Sequence, residues 1–269
     1  MTHERTPVAG PAYLRIADDF RIAIEEGALP PGEALPSLAD IASQYNVSKA
    51  VARQAIDVLK AQALISTGQG RRPTVRGSRP KTLRSNQHHH EAKRRVTWSE
   101  EERRDHGALE DTTGISVHEV SLRADYSRTT ANNDIPEFPH GTPLLRREFE
   151  TTDERGRLIA WSLSWLPIEL VESNGALLDS RNEPWPGGTQ HQLHTVGIEV
   201  AEVVDTIAAR APTTVEAERW GMETGEPLFV TRDVLRDPTG QVVAASTAQY
   251  PAGTTEFEFT TPLQEGTAK

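Results

Sequence analysis

Cysteine is absent from the 269 residues, which excludes disulfides, thiolate catalysis and cysteine-ligated zinc. Aromatic residues make up only 6% of the chain, and no run of about 18 apolar residues occurs, so we expect no membrane span. The first ten residues are polar and lack the apolar segment of a secretory signal. What remains, 36% hydrophobic and 25% charged residues, is typical of a soluble globular protein of one or two domains.

The two signs of charge are unevenly distributed. Residues 1–95 carry 15 Lys and Arg against 9 Asp and Glu, whereas residues 96–269 carry 14 against 30. Within 47–95 the basic residues outnumber the acidic ones by 12 to 2. This asymmetry predicts an N-terminal part that binds a polyanion, joined to a domain with a different purpose.

The N-terminal part has the pattern of three helices. Between residues 13 and 26 apolar residues recur at spacings of three and four, as on one face of an amphipathic helix. Ser37 and Ser48 are suited to N-cap two further helices. Asn46, between those helices, tolerates the left-handed backbone conformation of a turn.

A basic hairpin is predicted after the third helix. Two short strand-like runs, 64–67 and 74–76, flank the segment 68–73, which is rich in glycine and arginine. Three helices followed by a basic hairpin predict a winged helix-turn-helix domain over residues 11–76.

Residues 77–111 lack a hydrophobic period and are rich in Lys, Arg and His. We interpret them as a basic linker that is mobile without DNA. The run His88, His89 and His90 leaves open a role in metal binding, but adjacent side chains rarely converge on one ion, so linker is the preferred interpretation.

Residues 112–262 change to a mixed α+β pattern. Strand-like runs are predicted at Ile115–Leu122, Leu144–Thr152, Leu158–Trp165, Glu199–Ala208, Leu228–Leu235 and Val242–Gln249. Helices are predicted at Glu169–Ser173, Thr189–Thr195 and Thr214–Trp220. The turn sequences Asp153–Gly156 and Asp237–Gly240 predict two hairpins between neighbouring strands.

Several motifs of the first domain occur in a familiar order. They are Tyr13-Leu14, Ile16-Ala17, Gly27–Gly32, Leu35–Ser37, Leu38–Ala42, Val47–Lys49, Arg53–Ala55 and Gly68–Gly70. In this order and spacing they resemble the DNA-binding domain of the GntR family of bacterial transcription regulators.

The remaining chain carries looser motifs. They are Pro143–Arg147, Leu158–Ala160, Ser164–Pro167, Gly197-Ile198, Ala208–Ala211, Gly225–Leu228, Thr231-Arg232 and Gly240–Val243. Together they resemble the effector-binding (UTRA) domain of the HutC-type subgroup. That resemblance implies a chorismate-lyase-like antiparallel-sheet domain, and an α+β fold class for the whole chain.

The resemblance implies DNA contacts at the start of the third helix and at the hairpin tip. Lys or Arg can donate to guanine there, and Ala can contact a thymine methyl. The family usually has Arg at Lys49 and Gly at Arg72, so the operator preferred by this chain is open; a solvated surface is the alternative reading of these side chains. The candidate DNA-binding residues are Ser37, Ser48, Lys49, Ala50, Arg53, Gln69, Gly70, Arg71 and Arg72.

An effector site is implied in the second domain, although its ligand is not. Relatives that bind sugar phosphates carry Arg-x-Arg where this chain has Arg146-Arg147-Glu148, and Glu where it has Ala244, which argues against a sugar phosphate. The candidate effector-binding residues are Arg146, Thr189, Arg232 and Tyr250, with surface or strand-pairing roles as the alternative.

Catalytic motifs are missing. His191 and His194 have the spacing of two metal ligands on one helix face, but no third ligand is patterned with them. Neither Gly-x-Ser-x-Gly nor His-Glu-x-x-His occurs. We therefore expect no enzyme, no catalytic residue, no metal and no cofactor.

Together the resemblances imply a cytoplasmic regulator that associates with the nucleoid through its operator. We expect a homodimeric repressor that binds palindromic double-stranded DNA, is released by a small-molecule effector, and has no membrane partner. The alternative is a DNA-binding repressor whose C-terminal domain only dimerises and binds no effector.

Overall fold

The computed structural model of the chain describes residues 10–66, 72–77, 81–105, 120–222 and 225–261. By its internal contacts the chain divides into two compact units. The first comprises residues 1–79 together with 211–226, and the second comprises residues 80–210 and 227–269. No helix among the described residues is both long enough and apolar enough to cross a bilayer.

The first unit is a helix-turn-helix domain with a short hairpin. Its elements are α1 (Ala12–Glu25), α2 (Leu38–Gln44), α3 (Lys49–Ala61), β1 (Ile65–Ser66) and β2 (Thr74–Val75), and residues 211–226 add a short helix, Thr214–Arg219. The strands pair antiparallel, with Ile65 opposite Val75. The predicted order of three helices and a hairpin is confirmed.

The predicted caps of α2 and α3 are present. Ser37 Oγ accepts a hydrogen bond from the Asp40 amide at 3.2 Å, while the Asp40 carboxylate accepts from the Ser37 amide at 3.1 Å. This reciprocal pair satisfies amides at the start of α2 that have no partner within the helix. Ser48 Oγ accepts from the Val51 amide at 3.3 Å, and Asn46 adopts a φ of +50° in the turn.

The three helices bury a common apolar core. On α3 the buried residues are Ala52, Ala55, Ile56 and Leu59. Val51 and Val58 of the same helix are only partly buried, at the border of the core. The other buried members of the core are Ile16, Ala17, Phe20, Leu35, Ile41, Ile65 and Val75.

The second unit is built on a six-stranded antiparallel sheet in the order β4-β5-β6-β9-β8-β7. Its strands are β4 (Val120–Thr130), β5 (Pro143–Asp153), β6 (Leu158–Pro167), β7 (Glu202–Arg210), β8 (Leu228–Arg236) and β9 (Val242–Pro251). A separate parallel pair joins β3 (Thr82–Ser85) to β10 (Thr255–Glu258). The helices of this unit are α4 (Gln87–Arg95), α5 (Glu100–Asp105), α6 (Ile168–Val171) and α7 (Gly188–His194), and we number the helix Thr214–Arg219 of the first unit α8. The α+β fold class with an antiparallel-sheet domain is confirmed.

The predicted hairpins form at their turn sequences. The Asp153 carboxylate accepts from the amides of Arg155 and Arg157, both at 2.9 Å. Asp237 does the same for the amides of Thr239 and Gln241, again at 2.9 Å. These side chains replace the backbone acceptors that a tight turn lacks, which is why the local sequence predicts the turns.

The interpretation of 77–111 as a linker without regular structure differs from the structure. Residues 82–85 form a strand and residues 87–95 form α4, and both belong to the second unit. β3 exists because it pairs with β10, in a register that sets Thr82 opposite Thr255. A pairing partner so distant in sequence leaves no local periodicity to detect.

The two faces of the large sheet are covered differently. One face packs against α6 and α7 through a core that includes Leu145, Leu166, Val171 and Leu193. The other face packs against the segment 131–142. Each strand therefore has side chains in two separate environments, set by the alternation of a β-strand.

Candidate nucleic-acid interface and sheet cavity

The start of α3 presents basic side chains to solvent. Lys49, Ala50 and Arg53 are exposed, as is the capping residue Ser48. Within the described ranges, neither Lys49 nor Arg53 has an ion-pair partner. In a helix-turn-helix domain this end of the second helix of the motif enters the major groove.

Two further predicted DNA-binding residues, Ser37 and Arg72, lie near Asp40 of α2. Ser37 Oγ contacts the Asp40 carboxylate at 2.6 Å, and this hydrogen bond, with the Ser37 amide and the charge of Arg72, lowers the pKa of Asp40. Arg72 is exposed at the base of the hairpin. The predicted tip residues Gln69, Gly70 and Arg71 lie outside the described residues.

The four predicted effector-binding residues do not come together. Arg146 lies on the sheet face that packs against 131–142, where it pairs with Glu148 at 2.8 Å. Arg232 lies on the same face and binds Glu137 with two hydrogen bonds, which attaches the covering segment to the sheet. Thr189, by contrast, approaches the opposite face from α7, and Tyr250 is buried on that face.

Thr189 accepts a hydrogen bond from Arg147, which is not among the four predicted residues. The Arg147 side chain is 2% exposed and donates to Ser164 at 2.9 Å, to Gln192 at 2.5 Å and to Thr189 at 3.2 Å. Strand alternation contains a signal for it, because Arg147 shares a face with the apolar Leu145 and Phe149, whereas Arg146 does not.

A carboxylate completes this buried network. Glu183 accepts hydrogen bonds from Gln192, at 2.9 Å, and from the hydroxyl of Tyr126. Burial raises the pKa of Tyr126, so the phenol stays protonated and acts as a donor. The side chains at this end of the sheet thus bind one another.

The network belongs to a polar row that crosses the entire sheet. Each of the six strands contributes one side chain to the same face at paired positions. In order across the sheet they are Tyr126, Arg147, Ser164, Ser246, Asp233 and Asp205. One half of the row carries a guanidinium, the other half carries two carboxylates, and two serines lie between them.

The acidic half of the row contains one carboxyl group, Asp233, whose pKa is raised. Asp233 accepts a hydrogen bond from Ser246 at 3.0 Å, and Asp205 lies 2.7 Å from Nε2 of His89. Burial and the neighbouring charge of Asp205 raise the pKa of Asp233 to about 6. His88 is buried beside His89, and burial lowers its pKa to about 4, so this ring is neutral at pH 7.

A cavity of about 120 Å³ adjoins these carboxylates, and Tyr250 lines it. The guanidinium carbon of Arg84 lies 3.8 Å from the centre of the Tyr250 ring. The histidine run therefore takes part in a folded cavity wall, since His88 and His89 also line the cavity. Among the described residues no group of three or more His, Cys, Asp or Glu side chains could hold a metal ion.

His191, the first histidine of the candidate ligand pair, has a packing role. The indole nitrogen of Trp185 donates to Nδ1 of His191 at 2.9 Å. Burial is the largest of the effects that lower the pKa of His191, which keeps the ring neutral and able to accept this bond.

Comparison with known proteins identifies the first unit. Residues 12–75 match the family of bacterial regulatory proteins named gntR. Over 60 residues the chain is 38% identical to the mannosyl-D-glycerate transport/metabolism system repressor MngR of Escherichia coli. The matched segment is 22% of this chain and 25% of that protein.

Two relatives are similar over most of the chain. An uncharacterized HTH-type transcriptional regulator of Streptomyces coelicolor is 23% identical over 236 residues, 87% of this chain and 86% of that protein. A crystal structure of a GntR-family transcriptional regulator superposes with a TM-score of 0.69 at 23% identity, covering 94% of this chain and 98% of that one. The fold of this chain is therefore similar to that of the solved regulator.

Proposed function

We propose that the chain is a DNA-binding transcription regulator, and that it acts as a dimeric repressor released from its operator by a small molecule. The match of residues 12–75 to the gntR family supports this proposal. We place it in the HutC-type subgroup, with residues 112–262 as a UTRA-type effector domain. The observation that carries the proposal is the exposed basic start of α3 within a domain that matches the family over its whole length.

The DNA-binding part of the proposal assigns contacts to particular side chains. Lys49 and Arg53 lie one helical turn apart on α3, and both side chains are exposed. A cation at either position can reach guanine or a phosphate, and Ala50 between them can contact a thymine methyl. Arg72, with Arg71 before it, adds phosphate contacts from the hairpin.

The effector part rests on the sheet of the second unit. Its cavity is enclosed by side chains from three strands and by β3 and α4, and both charged and aromatic groups line it. A concave, partly apolar site with a few convergent polar groups is the usual form of a ligand site, and a volume of about 120 Å³ limits the ligand to a small molecule. The closed network around Arg147 favours the second candidate function, a C-terminal domain that only dimerises, because those side chains already satisfy one another.

A gel-shift titration with Lys49→Ala and Arg53→Ala tests the DNA contacts. Each change should weaken operator binding by about 1–3 kcal/mol and leave the dimer intact. Arg21→Ala is the matched control, because this arginine of α1 is occupied by Asp18 and Glu25. Equal operator affinity in all four proteins would remove α3 from the proposed interface.

The presence of an effector is tested separately. Thermal midpoints are measured across a panel of metabolites, since a ligand that binds only the folded state raises stability. Any metabolite that raises the midpoint is then added to the operator complex, where it should release DNA. A panel without any shift, with DNA binding intact, would favour the domain that only dimerises.

A further inference from the structure

Two kinds of side chain line the cavity of the second unit. It lies where β7, β8 and β9 meet β3, α4 and β10. Asp205 and Asp233 are its acidic part, at paired positions of β7 and β8 on the same face of the sheet. Tyr250, Phe257 and Phe259 are its aromatic side.

The aromatic side is a continuous wall of rings. The ring centres of Tyr250 and Phe257 lie 5.9 Å apart with their planes at 71°, and Phe257 stacks on Phe259 at 6.4 Å. The negative faces of such rings attract cations, and attraction is strongest where water is excluded. Tyr250 is the buried member of this wall, with 9% of its surface exposed.

A cation already occupies this wall. Arg84 is 6% exposed, and its guanidinium lies over the Tyr250 ring, where the charge of Asp233 also attracts it. The cavity therefore contains, from the chain itself, an example of the group that its walls recognise.

Resting on the effector function proposed above, we propose that this cavity binds a small organic cation, an ammonium or guanidinium compound, which replaces the guanidinium of Arg84 over Tyr250. The exchange substitutes one positive charge for another, so a cation still balances the negative charges of Asp205 and Asp233. Two adjacent carboxylates would repel the phosphate group of a sugar phosphate, so the proposed site differs from a sugar-phosphate site.

The exchange has a structural consequence because of the position of Arg84 in the chain. Arg84 belongs to β3, which among the described strands pairs only with β10. This strand begins three residues after Arg79, the last residue of the N-terminal stretch of the first unit. Release of Arg84 removes the buried anchor of this strand. A ligand that favours the state without the anchor shifts the protein toward it by its difference in affinity for the two states.

Methylguanidinium and propylammonium, as chloride salts, are the probes. The thermal midpoint of the full chain is measured with each probe, with sodium chloride at the same ionic strength, and with inorganic phosphate. Both cations should raise the midpoint relative to sodium chloride, and phosphate should not.

Arg84→Met provides the decisive variant, because it keeps an apolar stem and removes the competing charge. It should be less stable than the natural chain but bind methylguanidinium about tenfold more tightly, since no internal cation has to leave. Arg94→Met, an exposed residue of α4 that pairs with Glu91, is the control and should retain the natural affinity. Asp233→Asn should weaken binding of both cations.

The outcomes separate the site from the regulatory function. Unchanged midpoints with either cation, in both the natural chain and a folded Arg84→Met variant, would overturn the cation site, as would a response to phosphate alone. Operator affinity is measured in the same samples. Cation binding without loss of operator affinity would support the site and contradict release by effector, whereas failure of the natural chain to bind operator would contradict the proposed function alone.

Discussion

Arg146 and Arg147 are adjacent in sequence, yet they differ in what their loss should cost. Arg147 is buried and donates to three side chains, whereas Arg146 makes a partly exposed pair with Glu148. The difference follows from strand alternation, which directs neighbouring side chains to opposite faces. A residue's energetic role therefore depends on the face it occupies more than on its type.

Substitution of each arginine by methionine tests this difference. Arg147→Met should destabilise the second unit by about 3 kcal/mol, because it leaves the buried oxygens of Gln192 and Ser164 without their donor. Arg146→Met, the matched control, should cost no more than about 1 kcal/mol. Urea denaturation followed by circular dichroism measures both, and equal losses would contradict the buried network.

Titration of Asp233 and His88 should affect stability in opposite directions. The pKa of Asp233 is raised from 3.8 to about 6, so between these values the folded state holds a proton that the unfolded state has lost, and stability falls as pH rises. The pKa of His88 is lowered from 6.5 to about 4, so over nearly the same range the unfolded state holds the extra proton and stability rises with pH. In the natural chain these two effects largely cancel.

Asp233→Asn should expose the His88 effect. As the pH rises from about 4.5 to 6, the unfolding free energy of the variant should increase relative to that of the natural chain by up to about 1.4 kcal/mol per pH unit. Asp237→Asn serves as the control, because the pKa of this turn residue is lowered and its titration lies below that range. Parallel curves of unfolding free energy against pH for the natural chain and Asp233→Asn would refute the assignment.

At the scale of elements, the segment 211–226 shows how a connection can belong to a different unit from the strands it joins. It connects β7 to β8 of the sheet, but its contacts assign it to the first unit. Thr213 begins α8 with a capping box to Glu216, so the local sequence alone predicts a helix. Its assignment to the first unit depends on tertiary contacts.

Two glycines of this segment allow a matched test. Both Gly221 and Gly225 have positive φ, +58° and +84°, so alanine is strained by about 1–2 kcal/mol at either position. Only at Gly225 would the added Cβ overlap the backbone carbonyl of Ala61, at the end of α3. Gly225→Ala should therefore lower the unfolding free energy of the first unit by at least about 1 kcal/mol more than Gly221→Ala. Equal losses in urea titrations would contradict this packing.

At the scale of the whole molecule, opposite charges are divided between two parts of the chain. The net charge of −10 combines the basic residues 1–95 with the acidic remainder. Basic groups gathered at one end direct that end toward a polyanion, and the acidic remainder opposes adsorption of the rest of the chain on DNA. The overall acidity is therefore compatible with DNA binding.

The salt dependence of operator binding measures this division. Replacement of Arg71 and Arg72 together by alanine should reduce the log–log slope of affinity against salt by about one to two, because fewer counterions are released. Arg181→Ala, which removes an exposed arginine paired with Asp179 in the second unit, should leave the slope unchanged. A slope that is the same in all three proteins would show that the hairpin makes no phosphate contact.

The local features of this protein follow from its sequence. The caps at Ser37 and Ser48 and the turns at Asp153 and Asp237 depend on side chains within four residues of the amides they bind. The amphipathic period predicts α1 with nearly its observed limits, since the apolar positions of one helix face lie three and four residues apart. Such interactions can be recognised in any short window of the chain.

Only the tertiary structure decides the chemistry of the sheet. The strand at Thr82–Ser85 requires β10, and the polar row requires one residue from each of six strands. The contact between Arg84 and Tyr250 likewise joins residues far apart in the chain. Their positions are set by strand pairing and by the choice of buried face, which are properties of the assembled sheet and have no counterpart in a local segment.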